Sequence, residues 1–319
     1  MTKTINIKRI DFPQNDSPAQ FSQYVLELKD VFIGKDGIVL DSNRNPMPDA
    51  MQSAYYSIGR NADKVNMAIK RAKESTAITD LLPDIDYIHC LHHVNKYRYG
   101  HLLDNIQPLK KIEGLDLDGA ILLIHEPSDL VFEQDRHFQK FGYDKEHQKI
   151  LSFGRGSDNT LYKVPKLWYS SMLAPEACWV QSAAEWVRQK YGPFPDAKPT
   201  KIYISRKDVS RRVLNEEEVR RFLTERGFTV FEGNEGLDKT IELFSGAQVI
   251  VGAHGGGFTN SLFSLGDPLI IEFCPDKRMN KCFLHNSTVI GHSKHRLITA
   301  KCDDSYNINI DISHLESLI

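Results

Sequence analysis

Four cations crowd a seven-residue stretch, at Arg206, Lys207, Arg211 and Arg212, within Ser205-Arg206-Lys207-Asp208-Val209-Ser210-Arg211-Arg212. Guanidinium forks bind pairs of anionic oxygens, so arginines this close together suit a phosphate or a diphosphate. Further on, Val249-Ile250-Val251-Gly252-Ala253-His254-Gly255-Gly256-Gly257-Phe258-Thr259-Asn260 runs from an apolar stretch into three successive glycines. Without side chains at 255, 256 and 257, backbone N–H groups can crowd against a bound group. A helix starting near Phe258 would add its own unpaired N–H groups and positive dipole end. Glu272, about 17 residues beyond the first of these glycines, is a carboxylate suited to accepting hydrogen bonds from ribose hydroxyls.

These groups need a parallel sheet to hold them on one rim. Val249–Val251 is a β-branched run without alternation, the pattern of a strand covered on both faces. It lies in a regular alternation that begins after Gly192-Pro193-Phe194-Pro195-Asp196-Ala197-Lys198-Pro199, a stiff connector. Strand Ile202–Ile204 precedes a helix with Asn215 as N-cap and Glu218 as its capping-box partner, stopped at Gly227. Strand Thr229–Phe231, a helix from Asp238 to Ser245, the central strand, a short helix and strand Leu269–Phe273 follow. Strands alternating with helices of this length form a parallel sheet, whose ligands sit at the carboxyl ends of the strands. Arg206, His254 and Glu272 fall at three such ends.

The first half reads as an irregular α/β domain. Val31–Ile33 and Ile38–Leu40 flank Gly34-Lys35-Asp36-Gly37, a hairpin signal. A helix over 63–76 turns Val65, Ile69 and Ala72 inward, and strands are expected at 86–91 and 120–124. A helix over 99–109 has Leu102, Ile106 and Leu109 as its buried stripe and places His101 and Asp104 together on another face. Pro108 should bend or end it. A polar helix spans 133–148, two strand-like runs lie on either side of Pro165, and a helix from 176 leads to 191. The expected division is 1–175, 176–300 and a tail, 301–319, with a short helix from Ser313.

At 319 residues the chain is too long for one ordinary core. A charged content of 26% is that of a globular protein, and a net charge of -2 gives no reason to expect nucleic acid as a partner. No stretch reaches the ~20 apolar residues of a membrane span. Met1–Asn6 lacks a signal-peptide core, so a cytoplasmic location is expected. The five cysteines are scattered with no C-x-x-C pair, which reads as free thiols. Asp84 with Asp86, and Asp116 with Asp118, are lone D-x-D strings and read as surface; no metal ligand set and no cofactor is expected.

The residues Ser205-Arg206, Arg211-Arg212-Val213-Leu214-Asn215-Glu216, Ala253-His254-Gly255-Gly256-Gly257-Phe258-Thr259-Asn260-Ser261-Leu262-Phe263, and Ile271-Glu272 with Pro275 resemble the pattern of glycosyltransferase family 61. His101-Leu102-Leu103-Asp104 fits the same pattern in the first half. Gly256 and Gly257 stand where alanine is common. The resemblance implies a GT-B-like α/β fold, two Rossmann-like domains facing across a cleft, with the donor held by the second. It also implies a metal-independent, inverting transfer from a nucleotide-sugar to a glycan or glycolipid acceptor. The missing leader favours the bacterial members, which build capsule or surface polysaccharide, and leaves open a peripheral membrane association.

In such a transfer, Arg206, Arg211, Arg212, His254 and the turn amides at Gly255, Gly256 and Gly257 would stabilise the departing diphosphate, with Thr259, Asn260 and Glu272 completing the donor site. Asp104 and His101 are the candidates for the general base. His-Gly-Gly-Gly also serves esterases as an oxyanion hole, but those need a G-x-S-x-G turn that this chain lacks. A non-catalytic nucleotide- or glycan-binding protein of the same fold is the remaining alternative.

Overall fold

The structure is a computed structural model that describes residues 7–12, 22–34, 36–51, 58–91, 106–115, 117, 119–125, 134–144, 146, 149–153, 159–173, 178–194, 197–207 and 210–319. The chain divides into two compact units, residues 1–130 with 134–183, and 131–133 with 184–319.

The first unit is built on an eight-stranded sheet. Its strands are β1 (Ile7–Asp11), β2 (Tyr24–Gly34), β3 (Val39–Leu40), β4 (Ile78–Asp80), β5 (Tyr87–Cys90), β6 (Ile121–His125), β7 (Ile150–Phe153) and β8 (Leu161–Ser170). The main path is β1-β2-β8-β5-β6-β7, with β3 beside β2 and β4 beside β8. β8, β5, β6 and β7 run parallel, whereas β1, β2 and β3 form an antiparallel meander on the β8 side. The sheet is therefore mixed rather than uniformly parallel. The hairpin expected around 34–37 is present, pairing Phe32 with Leu40 and Ile33 with Val39.

Pro165 was expected to separate two strands, yet β8 runs straight through it. Proline has no N–H to give a ladder, and here none is needed. β4 pairs with Leu161–Lys163 and β5 with Leu167 and Trp168, so Pro165 falls between the two partners. On the other side it lies opposite Asp30, the residue at which the β2 register is interrupted and φ turns to 53°.

Helix α1 (Ile58–Glu74) packs Val65, Ala68 and Ala72 into this unit's core, three or four residues apart on one face. Ile106 is helical and the helix gives way to a turn at Gln107–Pro108, as expected of that proline; helix α2 (Leu109–Glu113) begins directly after, with Pro108 at its N-cap. His101 and Asp104 lie outside the described residues, as do Asp116 and Asp118; the segment that follows the first pair is firmly anchored. The Gln107 side chain donates to Cys178 O (3.1 Å) and accepts from Val180 N (3.0 Å), and Ser170 Oγ donates to Pro108 O (2.8 Å). Lys111 is buried with Nζ on Gln23 Oε1 (3.0 Å), Ser171 O (2.9 Å) and Ser171 Oγ (2.7 Å). Three neutral oxygens take up all three of its protons. Helix α3 covers only Gln134–Gln139; Gly142, at φ 84°, closes the turn that follows, well short of 148.

Helix α4 (Gln181–Tyr191) carries the chain across the division at 183/184. The second unit then contains β9 (Thr200–Ile204), α5 (Glu216–Thr224), β10 (Thr229–Phe231), α6 (Leu237–Ser245), β11 (Ala247–Ala253), β12 (Leu269–Pro275), α7 (Cys282–Val289), β13 (His295–Ala300) and α8 (Ile312–Leu318). All its strand pairs are parallel, in the order β10-β9-β11-β12-β13. In chain order this is 2-1-3-4-5, an arrangement shared with open nucleotide-binding sheets. Tyr203, Val251, Ile271 and Phe273 from the sheet meet Val219 and Leu223 of α5 in its core. Burying each of these apolar side chains contributes roughly 1.5–3 kcal/mol.

The tail beyond 300, expected to carry a short helix from Ser313, packs on this core through Ile308, Ile310 and Leu315, with the helix at Ile312–Leu318. Asn215 does occupy the N-cap of α5 but makes no side-chain cap bond. Its amide instead donates to Ile310 O (2.9 Å) and to Glu218 Oε2 (3.2 Å), and its oxygen accepts from Ile310 N (3.0 Å). The predicted capping residue is a staple for the chain terminus. All five cysteines are free thiols.

Burial drops the Lys111 ammonium from its ordinary range to about 7. Below that pH both folded and unfolded chains hold the proton. Between about 7 and the unfolded value of 10.5 only the unfolded chain does, so this lysine makes stability rise with pH across that window. Lys111→Met should flatten that rise, measured as urea midpoints between pH 7 and 10.5 by tryptophan fluorescence; an unchanged slope would contradict the assignment.

Candidate functional site

In a 2-1-3-4-5 sheet the chain leaves the first and third strands in opposite directions, and the crevice between their carboxyl ends is where ligands bind. Here those strands are β9 and β11. β9 ends at Ile204 and delivers Ser205-Arg206; β11 ends at Ala253 and delivers His254-Gly255. The two sequence motifs are therefore brought to one place, although nearly fifty residues separate them.

They touch. A Cβ built on Gly255 would lie 1.7 Å from Nη1 of Arg206 and 2.9 Å from its Cζ, so the guanidinium rests on the bare backbone of the turn. A Cβ on Gly257 would lie 2.6 Å from Cγ2 of Ile204. The glycines are needed here for close approach to β9's exit, whatever they also offer a ligand. The 3-10 helix Gly256–Phe263 follows immediately, in place of the expected start at Phe258.

Arg206 is buried, at 8% exposure. Nε donates to Arg211 O (3.1 Å) and Nη2 donates to Ser210 O. Arg211 sits at φ 62°, in the left-handed region that costs a side-chain-bearing residue energy, and the loop thereby returns two carbonyls to one guanidinium. Burial first, and then the charge of Arg211, lower the Arg206 guanidinium to about 10, which leaves it charged at neutral pH. Among the described residues no carboxylate pairs with it; Glu216 acts on it only at longer range. Nη1 makes no hydrogen bond there. The arrangement is a buried cation with one face unpaired.

Sequence reasoning missed what steadies this corner. Glu216, the first residue of α5, is buried and accepts from Tyr203 Oη (2.8 Å) and from Ser205 Oγ (2.6 Å). It locks the last turn of β9 just ahead of Arg206. Arg211 lies close enough to act electrostatically on Arg206 and on Cys274 near the end of β12. Arg212 is bound through its backbone to Asn307 and Ile308, while its exposed guanidinium has no partner among the described residues.

Glu272 is not at the rim. It occupies the middle of β12, fully enclosed, level with Gly252 of β11. Oε1 lies 2.5 Å from His254 Nδ1 and Oε2 3.0 Å from His295 Nε2. Both oxygens are thus taken by imidazoles, which corrects the expectation of a carboxylate open to ribose hydroxyls. Burial pushes its carboxyl up, but the hydrogen bonds from His254 and His295 outweigh it and hold the group below the ordinary carboxylate range. His254 is nearly buried, its N–H on Phe273 O (2.8 Å), and its Nε2 has no partner among the described residues. Thr259 and Asn260 are buried in the 3-10 helix, where the Thr259 hydroxyl has no hydrogen bond among the described residues.

Of the D-x-D strings, Asp84 is exposed, and Asp86 Oδ2 accepts from Lys166 Nζ (3.0 Å) and Trp168 Nε1 (3.0 Å). Among the described residues no group of His, Cys, Asp and Glu is arranged to hold a metal ion.

The second unit is thus a parallel α/β unit whose topological switch point carries a buried arginine with no carboxylate partner among the described residues. Residues 77–277 match the profile of Glycosyltransferase 61, and the chain belongs to that family. It is also similar, at 34% identity over 86 residues, to the beta-1,2-xylosyltransferase XAX1 of Oryza sativa subsp. japonica. That alignment covers 26% of this chain and 15% of the rice protein's length.

Gly255→Ala should drive the Arg206 head off the turn without unfolding the unit, because the far end of a flexible side chain can yield where backbone cannot. The expected result is loss of pyrophosphate binding by calorimetry with a melting temperature within a few degrees of the parent; undiminished binding would separate Arg206 from the anion site.

Proposed function

We propose that the chain is an inverting, metal-independent glycosyltransferase that moves a sugar from a nucleotide-sugar donor to a glycan or glycolipid acceptor in the synthesis of capsule or surface polysaccharide. The observation that carries the reading is the Arg206 guanidinium, buried and charged, resting on Gly255 with no carboxylate paired to it among the described residues. An uncompensated buried cation costs several kcal/mol, and a bound diphosphate offsets that cost. Family membership supplies the reaction class, and the similar rice protein is a xylosyltransferase.

In this reading the second unit holds the donor and the first supplies the acceptor side, in the GT-B manner. The acceptor hydroxyl attacks the anomeric carbon as the bond from that carbon to the diphosphate oxygen breaks. The bonding electrons leave with the nucleoside diphosphate, and the hydroxyl proton passes to a base, Asp104 or His101. Charge grows on the departing oxygens, where Arg206, the amides after His254 and the Nε2 face of His254 would meet it. The Thr259 hydroxyl, buried without a partner among the described residues, stands in the same helix turn. Arg211 adds positive potential and Arg212 an exposed guanidinium that a diphosphate could recruit. Glu272 acts on His254.

Two measurements test this. One nucleoside diphosphate in a thermal-shift panel should stabilise the protein, by roughly 2.7 kcal/mol at about 100 times its dissociation constant, and Arg206→Gln should abolish the shift. With a competent donor and acceptor, Asp104→Asn should abolish transfer and keep that shift, whereas Arg206→Gln should lower kcat about 10²–10³-fold. Nucleotide binding without diphosphate release would assign the chain to the non-catalytic binding class, and transfer undiminished in Asp104→Asn would remove that residue from the reaction.

A further inference from the structure

Beneath the glycine turn, Glu272 carries an imidazole on each oxygen, and only His254 adjoins the anion site. The other, His295, opens β13. In the parallel register it stands across from Ile270, so it reaches Glu272 diagonally, two residues along the same face. Its side chain is 2% exposed. Its second nitrogen, Nδ1, lies 2.7 Å from Ser287 Oγ on α7. Ser287 is also buried, and that contact is its hydroxyl's hydrogen bond.

Proton accounting fixes how this chain of groups is wired. An ionised carboxylate only accepts, so the nitrogen facing it on each ring must bear the proton. His254 therefore donates through Nδ1 and is left with Nε2 for whatever occupies the turn. His295 donates through Nε2, and its Nδ1 is free to accept the Ser287 hydroxyl proton. The same helix touches the site a second way. Phe283, four residues before Ser287 and hence on the same face of α7, packs against the His254 ring at 5.1 Å and against Phe258 at 5.8 Å between centroids. One face of α7 thus fixes both imidazoles.

We propose that His295 and Ser287 are positioning residues for His254: through Glu272 they hold its ring in one orientation and one tautomer, so that Nε2 is presented to the donor's diphosphate. The inference rests on the reading that the glycine turn binds that diphosphate. Packing alone does not account for the arrangement, because apolar side chains would fill the space under β11 without enclosing a charge. A carboxylate gripped on both oxygens cannot rotate away from His254, and a ring gripped on one nitrogen cannot flip.

The test compares His295→Phe, which removes the donor, with His295→Gln, whose amide can still donate to Glu272, and with Ser287→Ala. Nitrogen-15 spectra of the ligand-free protein should show His254 protonated at Nδ1 in the parent and in His295→Gln, and a mixture of tautomers in His295→Phe. The Nε2 resonance of the parent should move on addition of inorganic pyrophosphate. In transfer assays, His295→Phe should lower kcat about 10–100-fold with little change in KM for the donor, His295→Gln should recover most of that loss, and Ser287→Ala should fall between them. A His254 spectrum unaltered in His295→Phe, or equal losses in the Phe and Gln variants, would overturn the proposal. No response of the parent to pyrophosphate would instead remove the diphosphate reading, and the ligand-free tautomers would still decide whether His295 positions His254.

Discussion

A buried guanidinium with no carboxylate partner among the described residues is the constraint around which the second unit is arranged. Arg206 gives up hydration at the end of β9 and gains the backbone carbonyls of Ser210 and Arg211. Placing both carbonyls there requires Arg211 in a left-handed conformation, and placing the turn against the guanidinium requires Gly255. Each of these features costs stability by itself. Together they leave a positive charge in low dielectric, where a charge interacts with its neighbours more strongly than it would in water.

The sheet makes this affordable by being rigid where the charge sits. β9 is paired on both sides, and Glu216 clamps its last residues through Tyr203 and Ser205. A second buried carboxylate, Glu272, does for His254 what Glu216 does for β9. In both cases a buried carboxylate is engaged by neighbouring side chains, Glu216 by Tyr203 and Ser205 and Glu272 by His254 and His295.

In the first unit, the segment following His101 and Asp104 is immobilised by unusual means. Gln107, Pro108 and Lys111 are tied to the end of β8 and to the residues just before α4, and the partners of the buried Lys111 ammonium among the described residues are the neutral oxygens of Gln23 and Ser171.

The sequence by itself determined the alternation of the second half: β-branched runs without polar alternation can only be strands covered on both faces, and the glycines and the capping positions around Asn215 and Gly227 punctuate the helices. It also singled out Arg206 and the turn at 255–257, because chemistry that needs forks and bare amides leaves its mark in local composition. The mixed first sheet was not legible, since Pro165 breaks a strand in isolation and is harmless between β4 and β5. Nor was the true place of Glu272, or any role for Glu216, Ser287 and His295. Their partners are set by strand register and by which face of a helix meets the sheet, and side chains 8 to 23 residues apart carry no local sign that they will meet. The tertiary structure decided that a carboxylate read as a ligand contact is instead the buried support of a histidine, because pairing β11, β12 and β13 in parallel leaves both of its oxygens facing imidazoles.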